Sequence, residues 1–144
     1  MKKTTAFFAS TLLFLPVLIG AQTNVEFAVL DIYVDSQSQA LAAWQFELLD
    51  RNGHMQVVGV ENGEHAAFDH APAYDRDAID QSQAERIVVA SFSLNQKSQL
   101  PTGSTRVATI HVRLHGNPDY QLRLVNAGNH LGDAIPAEIS LNKK

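Results

Sequence analysis

From Val25 onward, apolar residues recur at every second position in short runs separated by turn residues. That period is the strongest constraint on the fold, because strands alternate their side chains between two faces and helices do not. In Val25–Asp35, the residues Ala28, Leu30, Ile32 and Val34 alternate with Asp31 and Tyr33. In Ala40–Leu49, the residues Ala40, Ala42, Trp44, Phe46 and Leu48 share one face, and Gln45 and Glu47 fall on the other. Asn52-Gly53 supplies the positive φ that a tight hairpin turn requires, and Met55–Val60 reads as the returning strand. Asn62-Gly63 turns the chain again.

Further strands are expected at Arg86–Ser93, Thr105–His115, Tyr120–Val125 and Ile135–Leu141. Within Thr105–His115, Arg106, Ala108, Ile110, Val112 and Leu114 are expected on one face, opposite Val107, Thr109, His111 and Arg113. Pro101 and Gly103 punctuate the loop from Asn95 to Ser104, and Gly116-Asn117-Pro118-Asp119 marks another turn. Pro136 suggests an edge position for the last strand. Asn142-Lys143-Lys144 reads as a frayed end. Glu64–Glu85 is the least regular stretch, with one or two helical turns expected within Asp77–Glu85. With about seven or eight short strands and no long amphipathic helix between them, parallel βαβ units are disfavoured. An all-β, antiparallel two-sheet sandwich is favoured.

The N-terminus has a different character. Lys2 and Lys3 precede an uncharged apolar run from Ala6 to Ile19, which ends at the small residues Gly20-Ala21. This order reads as a secretory signal peptide over 1–21 followed by one domain over 22–144. The apolar run is shorter than the roughly 18–20 residues of a membrane span. Cleavage after Ala21 would leave 123 of the 144 residues, enough for one packed core. It would also remove Lys2 and Lys3, taking the formal charge from −4 to −6. The chain contains no cysteine, which excludes disulfides, thiolate zinc sites and a lipid-bearing cysteine. No basic stripe is present, so nucleic acid and anionic lipid are disfavoured as partners. Export to the periplasm, the surface or the medium is expected, without membrane insertion after cleavage.

Candidate sites are few. Glu64, His65, Asp69 and His70 offer imidazole and carboxylate ligands suited to zinc. Their spacing matches neither a helical nor a strand pair, so a polar loop with incidental histidines is the simpler reading. Asp75, Asp77 and Asp80 bring oxygen ligands of the kind calcium takes, without the Gly and terminal Glu of an EF-hand. Trp44, Tyr74 and Tyr120 are rings on which a sugar could stack, and Tyr74, in a loop beside Asp75, is the more exposed candidate. Glu47 and Glu61 would resemble a glycosidase pair if their strands were neighbours, but they read more simply as ordinary outward-facing charges. No nucleophile elbow or phosphate loop is present.

Several segments resemble cohesin domains. Ala42-Ala43-Trp44-Gln45-Phe46-Glu47-Leu48 is similar to the second cohesin strand. Val57-Val58-Gly59-Val60-Glu61 and Arg86-Ile87-Val88-Val89-Ala90-Ser91-Phe92 follow in the family's order. Leu100-Pro101-Thr102-Gly103 leading into Val107-Ala108-Thr109-Ile110-His111-Val112, and the segment from Leu122 to Asp133, complete the likeness. The resemblance implies a nine-stranded jelly-roll sandwich in the cohesin and cellulose-binding-module superfamily. Its members bind dockerin modules or polysaccharides. The implied function is a secreted, non-catalytic binding module for a protein partner or a polysaccharide, without a resident cofactor. The alternative is a small metal-dependent hydrolase built on His65, His70 and their neighbouring acids. Glu64–Glu85 is unlike the family, and no partner-contacting residue is carried over.

Overall fold

The computed structural model describes residues 24–144; the signal-peptide reading of 1–21 lies outside the described residues. Eight strands are formed: β1 (Glu26–Asp35), β2 (Ala43–Asp50), β3 (Met55–Asn62), β4 (Ala73–Tyr74), β5 (Arg86–Phe92), β6 (Ser104–Leu114), β7 (Tyr120–Gly128) and β8 (Glu138–Lys143). Among the described residues, one α-helix, α1 (Arg76–Asp80), lies between β4 and β5, and 3-10 turns form at Ala66–Phe68 and Lys97–Gln99. The strands make two four-stranded antiparallel sheets, ordered β3-β6-β1-β8 and β4-β5-β2-β7. The expected all-β, two-sheet sandwich is thus observed, with eight strands among the described residues rather than the nine that the family likeness implied. Leu30, Ile32, Val34, Trp44, Phe46, Leu48, Val57, Val89, Ile110 and Val112 face each other across the interior and are all buried. Trp44 stacks on Phe46 at 5.7 Å and meets the edge of Phe68 at 6.0 Å. Such aromatic pairs add to the area they bury.

The turn after β2 does not close a hairpin. Asn52-Gly53 does turn the chain, with Gly53 at φ +68°. However, β2 pairs with β5 and β7, whereas β3 pairs with β6 in the opposite sheet. Of the connections between successive strands, β4–β5 stays within a sheet and the others cross from one sheet to the other. A two-residue turn signal specifies reversal of direction; the partner strand is chosen by which face each strand must bury.

Asp50 holds the crossings at one end of the sandwich. Its side chain is buried and accepts hydrogen bonds from the backbone N–H of Asn52 (3.1 Å), His54 (2.5 Å), Met55 (2.8 Å) and Asp119 (2.6 Å). Asn52 and His54 lie in the β2–β3 turn, Met55 opens β3, and Asp119 lies in the β6–β7 turn. Arg51 adds an ion pair to Asp119 at 2.8 Å.

Three β-bulges shift the alternation. Val107 is the extra residue of β6, so Val107 and Ala108 are both fully buried. This corrects the expected phase: Thr105 and Val107 point inward before the bulge, Ala108, Ile110, Val112 and Leu114 after it, and Arg106 stays outside. Val58 in β3 and Val125 in β7 are the extra residues of the other two, and both are exposed. A bulge changes strand phase by one residue, which alternation alone does not reveal.

Gly63 is required by close approach. A Cβ there would lie 2.6 Å from the Arg106 carbonyl oxygen and 2.9 Å from that of Val107. Both are backbone atoms of the bulged strand and have no rotamer with which to yield. Gly63→Ala is therefore expected to lower unfolding free energy by about 1–3 kcal/mol, as overpacking does, measured by urea denaturation. A midpoint equal to the parent's would refute it.

The C-terminal residues are not frayed. Asn142 and Lys143 lie in β8, and the Lys144 N–H donates to the Val29 carbonyl at 3.0 Å. Lys144 Nζ also forms an ion pair with Oδ2 of the buried Asp31, 2.5 Å away. Thr109 donates to the other Asp31 oxygen at 2.7 Å. Burial opposes ionisation of Asp31, but the lysine and hydroxyl contacts outweigh it and hold its pKa below 3.8. A buried carboxylate needs such partners, and here the chain end supplies one. The final strand does occupy a sheet edge, as Pro136 suggested.

Candidate functional surface

The outer face of the β4-β5-β2-β7 sheet carries the residues that alternate with the core. On β2 these are Ala43, Gln45 and Glu47, between the buried Trp44, Phe46 and Leu48. On β5 they are Val88, Ala90 and Phe92, alternating with buried Ile87 and Val89. The register sets Ala73, Ala90, Gln45 and Asn126 in one row, and Phe92, Ala43 and Gly128 in the next. The centre of the face is therefore lined by small side chains. Phe92 (70% exposed) and Val125 (41%) flank it. A shallow recess of about 210 Å³ follows these rows. It continues into a groove of about 560 Å³ between the 66–73 segment and residues 90–95. Beside them, Glu47 pairs with Arg86 and, at 3.5 Å, with Arg123.

The opposite outer face is different. His111 pairs with Glu61 at 2.9 Å, Arg113 donates to Gln56, and Arg106 donates to Thr109 at 2.7 Å. These polar groups bind one another across its strands, while exposed Phe27 lies near one end of β1 and exposed Val58 on β3. Glu47 and Glu61 are consequently on different sheets facing away from each other, so the supposed carboxylate pair does not exist.

The residues singled out from the sequence are dispersed. His65 caps the 3-10 turn Ala66–Phe68 by accepting the Ala67 N–H at its Nδ1, 3.1 Å away. Glu64 accepts the Arg106 N–H at 2.9 Å. Asp69 and His70 lie 3.5 Å apart at the groove rim, and the His70 side chain is 94% exposed. Asp75 caps α1 by accepting the Ala78 N–H at 3.2 Å, and Asp77 sits in that helix's first turn. Among the described residues, no three His, Asp or Glu side chains are grouped to hold a metal ion. The zinc set Glu64, His65, Asp69, His70 and the calcium set around Asp75, Asp77 and Asp80 are thus not assembled.

The aromatic platform is not assembled either. Trp44 is 2% exposed. Tyr74, expected in an open loop, lies in β4 and is half-buried, with the Arg76 guanidinium 5.5 Å from its ring centre. Tyr120 is half-buried, and its burial pushes the phenol pKa above 10.0.

Sequence reasoning missed the surface that the fold does present. Its signal was available: Ala43, Ala90 and Phe92 are apolar at outward positions, where a purely solvated face would carry polar groups.

The sequence matches no protein-family model and no curated protein. Its three-dimensional structure does match a solved one, a non-cellulosomal cohesin from the hyperthermophilic archaeon Archaeoglobus fulgidus. The superposition has a TM-score of 0.51 at 11% identity and covers 76% of this chain and 72% of that one. At so low an identity the comparison speaks to architecture, and on that ground the protein has a cohesin-like fold.

Proposed function

We propose that the chain is an exported, non-catalytic module that binds a protein partner on the outer face of the β4-β5-β2-β7 sheet. The observation that carries this reading is the contrast between the two outer faces. One is small-residue, grooved and flanked by exposed Phe92 and Val125, and the other is occupied by its own ion pairs and hydrogen bonds. Interfaces centre on such uncharged, desolvatable patches with polar rims. Arg123, Arg86 and Glu47 supply that rim here. The cohesin-like fold supports a binding role. The Lys2-Lys3 and Ala6–Ile19 pattern supports export by a signal peptide over 1–21, with a single domain over 22–144. Among the described residues, no helix is long and apolar enough to cross a membrane. A protein partner is favoured over a polysaccharide because Trp44 is buried, Tyr74 and Tyr120 are half-buried, and the exposed rings Phe92 and Phe27 stand on opposite faces rather than in a row on which successive sugars could stack. The hydrolase alternative needs His65 and His70 to share a centre, and His65 is instead committed to its backbone cap.

The test is affinity capture of a partner from the extracellular fraction of the source cells, followed by titration of that partner against variants. Val125→Asp and Gln45→Arg are expected to weaken binding about tenfold or more, while His111→Ala on the opposite face leaves it unchanged. Equal affinity for all three proteins, or a loss confined to His111→Ala, would place the interface elsewhere.

A further inference from the structure

Strand β5 has an incompletely covered edge. On one side it is paired with β2 along Arg86–Phe92. On the other, β4 accompanies it at only two positions, Ala73 opposite Ala90 and Tyr74 opposite Val89. Beyond Ala90 no strand pairs with that edge among the described residues. The Ser93 N–H donates to the Ala42 carbonyl at 2.7 Å, so Ser93 directs its backbone groups toward β2. Successive residues of a strand direct theirs to opposite sides, so the N–H and C=O of Phe92 face the edge away from β2.

The groove lies at this edge. One wall is Ala66, Ala67, Ala71 and Ala73 together with Asp69 and His70; the other runs from Ala90 to Asn95. The chain itself is kept from filling it. Phe68 is buried against Trp44, which anchors the 66–68 turn in the core and stops it from continuing β4 alongside β5. The result is a slot beside a backbone whose Phe92 N–H and C=O have no partner strand among the described residues. Its far wall includes the small residues Ala66, Ala67, Ala71 and Ala73.

We propose that the slot receives an extended peptide segment of the partner protein, which pairs with the Phe92 backbone and adds a strand to the sheet. This rests on the protein-binding reading above and specifies its mode. An unpaired strand edge recognises extended backbone above other ligands, and the neighbouring side chains select the sequence. The wall from Ala90 to Asn95 accommodates about four or five extended residues at roughly 3.3 Å each. The exposed side chains of Phe92 and Leu94 offer apolar contacts to alternate residues of the added strand. Among the described residues no Lys or Arg lines the slot and Asp69 does, so the peptide is apolar or basic rather than acidic.

A displayed library of random peptides of about ten residues, selected on the full-length protein, is the probe. Selected peptides are expected to lose about tenfold in affinity when alternate backbone amides are N-methylated, with side chains unchanged. Phe92→Pro removes the outward N–H and is tolerated at a strand edge, whereas Phe92→Ala removes only the ring. Phe92→Pro should therefore bind about tenfold more weakly than Phe92→Ala. Should Phe92→Pro fail to fold, the N-methylation series on the parent protein decides alone. Absence of any selected binder, or indifference to both N-methylation and Phe92→Pro, overturns strand addition. A captured partner that is weakened by Val125→Asp but indifferent to Phe92→Pro leaves the face reading standing and removes only the strand mode. Indifference to both substitutions removes both.

Discussion

Asp50→Ala is expected to lower the unfolding free energy by about 3–5 kcal/mol, measured by chemical denaturation. A single hydrogen bond to a charged group contributes about 1.5–3 kcal/mol, and these four share one acceptor and are not additive. The substitution leaves the N–H groups of Asn52, His54, Met55 and Asp119 without their acceptor, at a position only 3% exposed. Those groups belong to two separate crossings between the sheets, so one change loosens both. A loss under about 1 kcal/mol would show that water replaces the carboxylate easily, and that the crossings hold without it.

The same residue makes stability depend on pH. Burial raises the Asp50 pKa, but the four backbone donors overcome this and hold it below the usual 3.8. A carboxyl group whose pKa is depressed by folding contributes stability above its unfolded pKa and loses it as pH falls through the folded value. Asp31 has the same sign. The protein is therefore expected to weaken on acidification below about pH 4. Asp50→Asn, which cannot titrate, should show a shallower decline over that range. Parallel pH profiles for parent and Asp50→Asn would contradict this.

Phe46→Ala is expected to cost about 3–5 kcal/mol, the range for removing a large aromatic from a packed core. Phe46 is fully buried on the central strand β2, and its ring stacks on Trp44 at 5.7 Å. Its backbone is held by neighbours on both sides, β5 and β7, so the cavity cannot close by moving the strand. Domains of this size are stable by about 5–15 kcal/mol in total. The melting temperature should accordingly fall on the order of 10–20 °C. A drop of only a few degrees would mean that Phe68 and Trp44 collapse into the space.

Residues that alternate strictly were readable without coordinates. Ala28 to Val34 and Trp44 to Leu48 lie where their period placed them, with the apolar set inward. The last strand is at an edge as expected, although Pro136 lies just before β8 rather than within it. The phase of β6 was not readable, because the bulge at Val107 places two consecutive apolar residues inside. Asn52-Gly53 was legible as a reversal but misleading as a hairpin, since both strands it joins bury one face and the sheets are stacked. Acidic and imidazole side chains in 64–77 suggested ligands. In the structure His65, Glu64 and Asp75 satisfy nearby backbone N–H groups instead, the ordinary use of such residues at turns and caps. The small-residue face was hidden because it is assembled from β4, β5, β2 and β7. Each contributes one or two small residues that look unremarkable alone.

By itself, the sequence determined that the chain forms short strands with one greasy side each, and hence a two-layer β architecture. That follows from local periodicity, which every residue reports to its neighbours two positions away. Only the tertiary structure decided which strands pair, where phase slips at the bulges, and which outward residues gather into a face. Those outcomes depend on contacts between residues far apart in the chain, such as Asp50 with Asp119 or Ala73 with Ala90. Spacing along the polypeptide holds no record of them.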